Sequence, residues 1–261
     1  MKAPLHDCLE TLQDKGLLPA DHLAVLCVGS MARGWANETS DYDFNVVTRG
    51  PWQGASARTV PVPLVPGTIP AAAFHVNGKR WEVKYWMDSQ VDQMMAKVTW
   101  EQFEAGTTTA KVLIDAEELF LERLTTCVTL SGAGWVRGRR QALEDSAFRA
   151  FVISRSLAAA DEAVEDALGQ LGAADDDSAV LSARKAYGHT VDALLESRGA
   201  YGSRTPKWRA RRFREAQPVE LSYEEYWATE TMRDFKPADP GAWVTSVIHR
   251  CRELALDVEI S

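Results

Sequence analysis

Residues 23–47 constrain this chain more than any other part of it. Leu23-Ala24-Val25-Leu26-Cys27-Val28 is short, apolar and partly β-branched, the pattern of a buried strand. Gly29 follows, and a residue without Cβ lets the backbone approach a ligand closely. Ser30 reads as the start of a helix, whose first amides attract phosphate. A polar stretch then leads to Asp41-Tyr42-Asp43-Phe44 and a second apolar run ending at Val47. Side chains two apart on a strand share a face, so Asp41 and Asp43 are expected to converge while Tyr42 and Phe44 point the other way. Mg²⁺ is bound by one or two carboxylates together with phosphate oxygens, and a carboxylate pair beside a phosphate-binding turn is a donor set of that kind.

The two halves, Gly29-Ser30-Met31-Ala32-Arg33-Gly34 and Ser40-Asp41-Tyr42-Asp43-Phe44, resemble the signature of the polymerase-β-type nucleotidyltransferases. Their spacing resembles the small bacterial branch, which holds the minimal nucleotidyltransferases and the aminoglycoside adenylyltransferases of antibiotic resistance. The helical remainder matches only loosely. The resemblance implies an α/β fold, a mixed sheet flanked by helices, with a C-terminal helical bundle. It implies two Mg²⁺ ions on Asp41 and Asp43, and transfer of a nucleoside monophosphate, AMP from ATP foremost, to an acceptor hydroxyl. Gly29, Ser30 and Arg33 would bind the triphosphate. A third acidic residue is implied on a later strand, as metal ligand and as base for the acceptor hydroxyl.

Glu82 matches that place. Residues 71–76, the pair Asn77-Gly78 and residues 79–87 read as a β-hairpin, because Asn-Gly favours the tight hairpin turn. Trp81, Val83 and Tyr85 then share one face, and Glu82, Lys84 and Trp86 the other. By residues alone, Glu82 also reads as a solvated strand glutamate paired with Lys84. Asp88 is a second candidate base.

The rest of the chain is read from periodicity and breakers. Leu5, Cys8, Leu9 and Leu12 give a helix over residues 4–15, closed by Gly16. The Pro- and Gly-rich segment 48–70 argues for irregular or edge structure. Residues 89–105 read as a helix capped by Ser89, and residues 107–114 as a last strand before a cap or turn at Asp115. Beyond Glu117 the pattern is helical, which suggests a catalytic domain over 1–130 and a helical domain over 131–261 closing the substrate cleft. Asp175-Asp176-Asp177 reads as a solvated or capping loop. Tyr201 to Trp208 is similar to a helical-domain segment of the same family, in which Lys207 would reach the triphosphate. The alternative is a surface basic cluster, since Arg204, Arg209, Arg211, Arg212 and Arg214 crowd the same stretch. Tyr226 and Trp227, among Glu224, Glu225 and Glu230, could wall a cationic ligand or simply form an amphipathic helix.

Length and charge narrow the choice further. With 261 residues, 46% of them hydrophobic, the chain can bury one large or two modest cores. The formal net charge of −8 disfavours a long nucleic-acid substrate and is compatible with a small cationic acceptor, which the family resemblance implies to be aminoglycoside-like. Cys8, Cys27, Cys127 and Cys251 are scattered, as in a reducing, cytoplasmic setting. No apolar run approaches about 18 residues, so no membrane span is expected. A monomer or homodimer is expected. The rival readings are transfer to tRNA or to a protein, as in toxin–antitoxin relatives, and a silent nucleotide-binding module.

Overall fold

The structure, a computed structural model, describes residues 5–54, 58–106 and 112–260. The chain divides into two compact units, residues 5–102 with 112–146, and residues 103–106 with 147–260.

In the first unit, helix α1 (His6–Asp14) precedes strand β1 (His22–Val28), a one-turn helix α2 (Gly29–Arg33) and strand β2 (Tyr42–Thr48). Strands β3 (Arg58–Pro61), β4 (Thr68–Val76) and β5 (Lys79–Met87) follow, then helices α3 (Asp88–Lys97), α4 (Trp100–Glu104) and α5 (Asp115–Thr126), strand β6 (Val128–Ser131) and helix α6 (Ala133–Glu144). The six strands form one sheet in the order β3-β4-β5-β2-β1-β6. It is mixed: β2 and β5 run parallel and the other neighbours antiparallel.

One sheet face carries Val25, Cys27, Phe44, Val46, Trp81, Val83 and Tyr85, sealed by Cys8 and Leu12 of α1. The opposite face carries Asp43, Asn45, Glu82, Lys84 and Trp86. Trp86 is buried against Phe120 of α5, with ring centroids 5.0 Å apart. A buried aromatic of this kind contributes about 1.5–3 kcal/mol, so α5 is anchored on the face that bears the carboxylates. The β4–β5 hairpin turns at Asn77 and Gly78, whose φ values of 49° and 75° are those of a tight primed turn.

The Pro-rich segment contains the edge strand β3 and runs into the start of β4, and residues 55–57 lie outside the described part. Its remaining loop is held by α3: Gln93 bonds both the amide and the carbonyl of Val65, and Gln90 donates to the carbonyls of Pro66 and Thr68. Gln90 also accepts from the Met87 amide at 3.0 Å. Gln90 thus performs the capping expected of Ser89, which lies within the helix. Of the strand expected over 107–114, residues 107–111 lie outside the described part. Residues 112–114 are turn and extended chain leading into α5. The strand that does follow, β6, pairs with β1 beyond the point where the sequence pattern looked wholly helical, because four residues are too few to show alternation. Helix α6 packs on β1, β6 and α5, and so belongs to the first unit although it lies past residue 130.

The second unit is helical. Helices α7 (Phe148–Gly172), α8 (Asp176–Ser197) and α11 (Pro240–Leu256) pack together around Ala163, Ala183, Tyr187, Val191, Val244 and Ile248. The shorter α9 (Arg209–Ala216) and α10 (Tyr223–Glu230) close one side. Asp175 caps α8, its Oδ1 accepting from the Ser178 amide. Among the described residues no helix is long and apolar enough to cross a membrane.

Gly132 joins β6 to α6 with φ of +79°, and a Cβ there would lie 2.0 Å from the Leu23 carbonyl oxygen. A left-handed non-glycine costs roughly 1–2 kcal/mol and overpacking about 1–3 kcal/mol. Gly132→Ala is therefore expected to destabilise the first unit by about 2–5 kcal/mol. Urea unfolding followed by tryptophan fluorescence measures it, and a midpoint equal to that of the parent would show that the β6–α6 junction can open without loss.

Candidate active site

Three backbone pairings assemble the site. Val28, the last residue of β1, faces Asp43 across the antiparallel pair, so the turn at Gly29 and Ser30 begins beside that aspartate. Asp43 faces Glu82, and Asn45 faces Lys84, across the parallel β2–β5 pair. Alternation along β5 then puts Glu82, Lys84 and Trp86 on the same face as Asp43.

Gly29 is required by this packing. Its φ is +71°, and a Cβ on it would lie 2.7 Å from Asp43 Oδ2. Only a glycine leaves room for the carboxylate at that point. Ser30 continues into α2, where its carbonyl accepts from the Trp35 amide. Arg33 lies at the far end of α2 with its guanidinium over the Trp35 ring, 4.6 Å from the centroid.

The carboxylates differ in charge environment. Asp41, half-exposed and just ahead of β2, accepts from Arg80 Nη1 at 3.2 Å. The other end of that guanidinium, Nη2, donates to Glu82 at 3.2 Å, so Arg80 bridges the two acids. Glu82 also takes Arg58 at 2.7 Å and Lys84 at 3.5 Å. Burial pushes Glu82 up, but Lys84, Arg58 and Arg80 outweigh it and hold its carboxyl below the usual range. Asp43 goes the other way. Burial pushes its carboxyl up, Arg123 of α5 and Lys84 offset this only in part, and the negative charges of Glu82 and Asp41 add to the rise.

The donor set is of the kind that suits a hard cation: Asp41 and Asp43 offer carboxylate oxygens, and Gly29 keeps open the space at Asp43. Among the described residues no three Asp, Glu, His or Cys side chains are grouped to hold a metal. Asp41 and Glu82 are turned onto Arg80, Arg58 and Lys84 instead. A two-carboxylate site completed by phosphate oxygens is the arrangement that fits these residues. Asp88 is engaged elsewhere, accepting from Trp135 Nε1 at 2.8 Å and Arg139 at 2.7 Å.

Lys207 belongs to the second unit, in the short 3-10 turn Pro206–Trp208, with Nζ 5.5 Å from the Trp208 ring centroid. The basic stretch around it is only partly a surface. Arg209 binds buried Asp192 through both oxygens, at 3.0 and 2.8 Å, and Arg212 binds it at 2.9 Å. These two arginines hold α9 to α8. The acidic-aromatic helix is likewise occupied: Tyr226 is buried and stacked on Phe213, Glu225 caps α10 through Ser222, and Glu230 meets Arg184 and Arg209.

The sequence pattern did not single out Arg58, Arg80, Lys84 and Arg123 as part of the site. Arg80 and Lys84 flank Glu82 at i±2 and so share its face, a signal legible in hindsight. Arg58 and Arg123 arrive from an edge strand and a helix, and no local pattern announces them.

No family model and no curated protein matches this sequence. Among solved structures, the chain is similar to the crystal structure of a nucleotidyltransferase-like protein from Exiguobacterium sibiricum. The TM-score is 0.53 and the identity 11%, over 97% of this chain and 75% of that one. The likeness is one of fold: a nucleotidyltransferase-like architecture.

Because Asp43 is held above its unfolded value, the folded state binds that proton more tightly, and stability falls as pH rises from the ordinary aspartate range through the raised one. Asp43→Asn is expected to raise the urea midpoint at pH 7, with the gain shrinking as pH falls through the raised range and gone below about pH 4, where the parent carboxyl is protonated in both states. Paired denaturation curves at several pH values check this; an asparagine variant less stable than the parent at pH 7 would contradict the assigned burial.

Proposed function

We propose that the first unit is a nucleotidyltransferase catalytic domain that moves a nucleoside monophosphate from a triphosphate, ATP foremost, to a hydroxyl of a small acceptor. The observation that carries this reading is the register of Asp43 opposite Glu82, with Gly29 leaving space at the Asp43 carboxylate. Mg²⁺, held by Asp41 and Asp43 with Glu82 beside them, would supply charge stabilisation at the phosphate oxygens. The acceptor oxygen bonds to the α-phosphorus as the α–β phosphoanhydride bond breaks. Pyrophosphate leaves with that electron pair, and the hydroxyl proton passes to Glu82.

Bound by three cations, Glu82 is a weak base. The reading therefore requires Arg58, Arg80 or Lys84 to turn toward incoming anions, which returns Glu82 to ordinary carboxylate basicity. Gly29 and Ser30 border Asp43 and are assigned to the triphosphate, with Arg33 as a further phosphate contact. A tRNA acceptor draws less support than the basic cluster suggested, since Arg209 and Arg212 of that cluster are committed to Asp192.

One observation favours a second reading, a silent nucleotide-binding module: the Arg80 bridge neutralises Asp41 and Glu82 without any metal. Pyrophosphate release with each triphosphate, against a panel of hydroxylated acceptors and total tRNA, separates the two. Transfer is expected, and Asp41→Asn should bring it to background in a folded protein. Glu82→Gln should lower turnover by about 10²-fold or more while Mg²⁺–triphosphate affinity stays within about tenfold. Triphosphate binding without release for every acceptor would select the module.

A further inference from the structure

Beyond Asp43 and Glu82, one repeat further along β2 and β5, the same sheet face opens into a cavity of about 280 Å³. Its polar lining consists of Arg58, Lys84, Arg123 and Asn45, and its apolar wall includes Trp86 and Phe120. Among the described residues, three cations and no carboxylate line this space. Like charges repel when gathered beside apolar walls, so the cluster is stable only with anions at hand. Here Glu82 answers Arg58 and Lys84 from the rim, and Asp43 answers Arg123. Asp43 is assigned to the metal and Glu82 to the acceptor proton. With them so engaged, the three cations have no counter-charge of their own.

We propose that this cavity is the recognition subsite for the acceptor, and that the acceptor is a small molecule bearing a phosphate or carboxylate group as well as the hydroxyl that reacts. The proposal rests on the nucleotidyl-transfer reading and names its substrate class. Two arginines and a lysine converging on one space are the donors that recognise phosphate and carboxylate. The size admits an anionic head with a few carbons and not a macromolecule, being at the lower limit of small-ligand pockets. Lys84 and Asn45 lie two residues beyond Glu82 and Asp43, about 7 Å along the strands. An anion seated on them therefore leaves its hydroxyl several bonds away, beside the carboxylates. An acceptor so placed also competes with Glu82 for Arg58 and Lys84, freeing Glu82 only when the acceptor is present. A cationic amine would meet three positive charges instead, so the cationic acceptor expected from net charge gives way to an anionic one.

Titration calorimetry with inorganic phosphate as probe tests this, with and without Mg²⁺ and α,β-methylene-ATP. Saturable phosphate binding is expected in both conditions. Arg58→Gln combined with Lys84→Gln should weaken it by about tenfold or more, and so should Arg123→Gln, while Arg123→Lys should retain it. Arg58 is half-exposed on an edge strand, which keeps a foldable variant in the set. In turnover, sugar phosphates and sugar acids should stimulate pyrophosphate release above amino sugars. Absence of phosphate binding, equal binding by the charge-removing variants, or preference for amino sugars would each overturn the proposal. Displacement of phosphate by the analogue would also overturn it, by assigning the cavity to the triphosphate tail. Failure of the analogue itself to bind would count against the transfer reading, and phosphate alone would still report on the cavity.

Discussion

The parallel pairing of β2 with β5 is the constraint on which the candidate site depends. Among the described residues it is the one parallel contact in the sheet, and it sets Asp43 against Glu82 and Asn45 against Lys84. A slip of one residue in β2 or β5 would turn that strand's carboxylate into the apolar face occupied by Phe44, Trp81 and Val83. The register is held by that apolar face, where Trp81 stacks on Tyr42 and meets the tilted ring of Phe44, each with centroids 5.0 Å apart. The hydrophobic side of the sheet thus decides which polar groups meet on the other side.

That polar face is under electrostatic strain of two opposite kinds. Asp43 is desolvated with too little positive charge nearby, and its carboxyl is raised. Glu82 has three cations, and its carboxyl is lowered. Neutralising both would be simple, by moving one arginine across, and the backbone prevents it: Arg58 sits on the edge strand and Arg123 on α5. The imbalance leaves a desolvated carboxyl at Asp43 and a cation-rich cavity beyond it. A catalytic face commonly holds charge it does not need for folding, because the missing partner is the substrate.

The second unit shows what the same residue types do when they serve packing. Asp192 is buried and takes bonds from Arg209 and Arg212, which are themselves nearly buried. Removing one member of such a set costs about 3–5 kcal/mol, because the remaining charge has no solvent to turn to. Glu196, fully buried beside Arg155, is pushed up to about 7 by desolvation, which Arg155 offsets only in part. Clusters that look alike in sequence therefore separate into a structural hub in one unit and an open, cation-rich cavity in the other.

The local features were legible because they are set by neighbours in the chain. The strand flanked by Gly29, the Asp41–Asp43 spacing, the Asn77-Gly78 hairpin, the alternation that separates Glu82 from Trp81, and the amphipathic α1 follow from steric and period rules acting over a few residues. Strand β6 and the capping by Gln90 were not legible. A four-residue strand carries no period, and Gln90 acts through a loop more than 20 residues away in sequence. The same holds for the partners of the charged groups. Arg58 reaches Glu82 across 24 residues, Asp192 collects arginines 17 and 20 positions on, and Arg123 comes to Asp43 only by way of the packing of α5. The sequence by itself determined which residues carry the carboxylates and on which face of their strands they lie. Only the tertiary structure decided which cations face them, because Coulomb interactions depend on distance in space, and that distance is set by how the apolar faces pack.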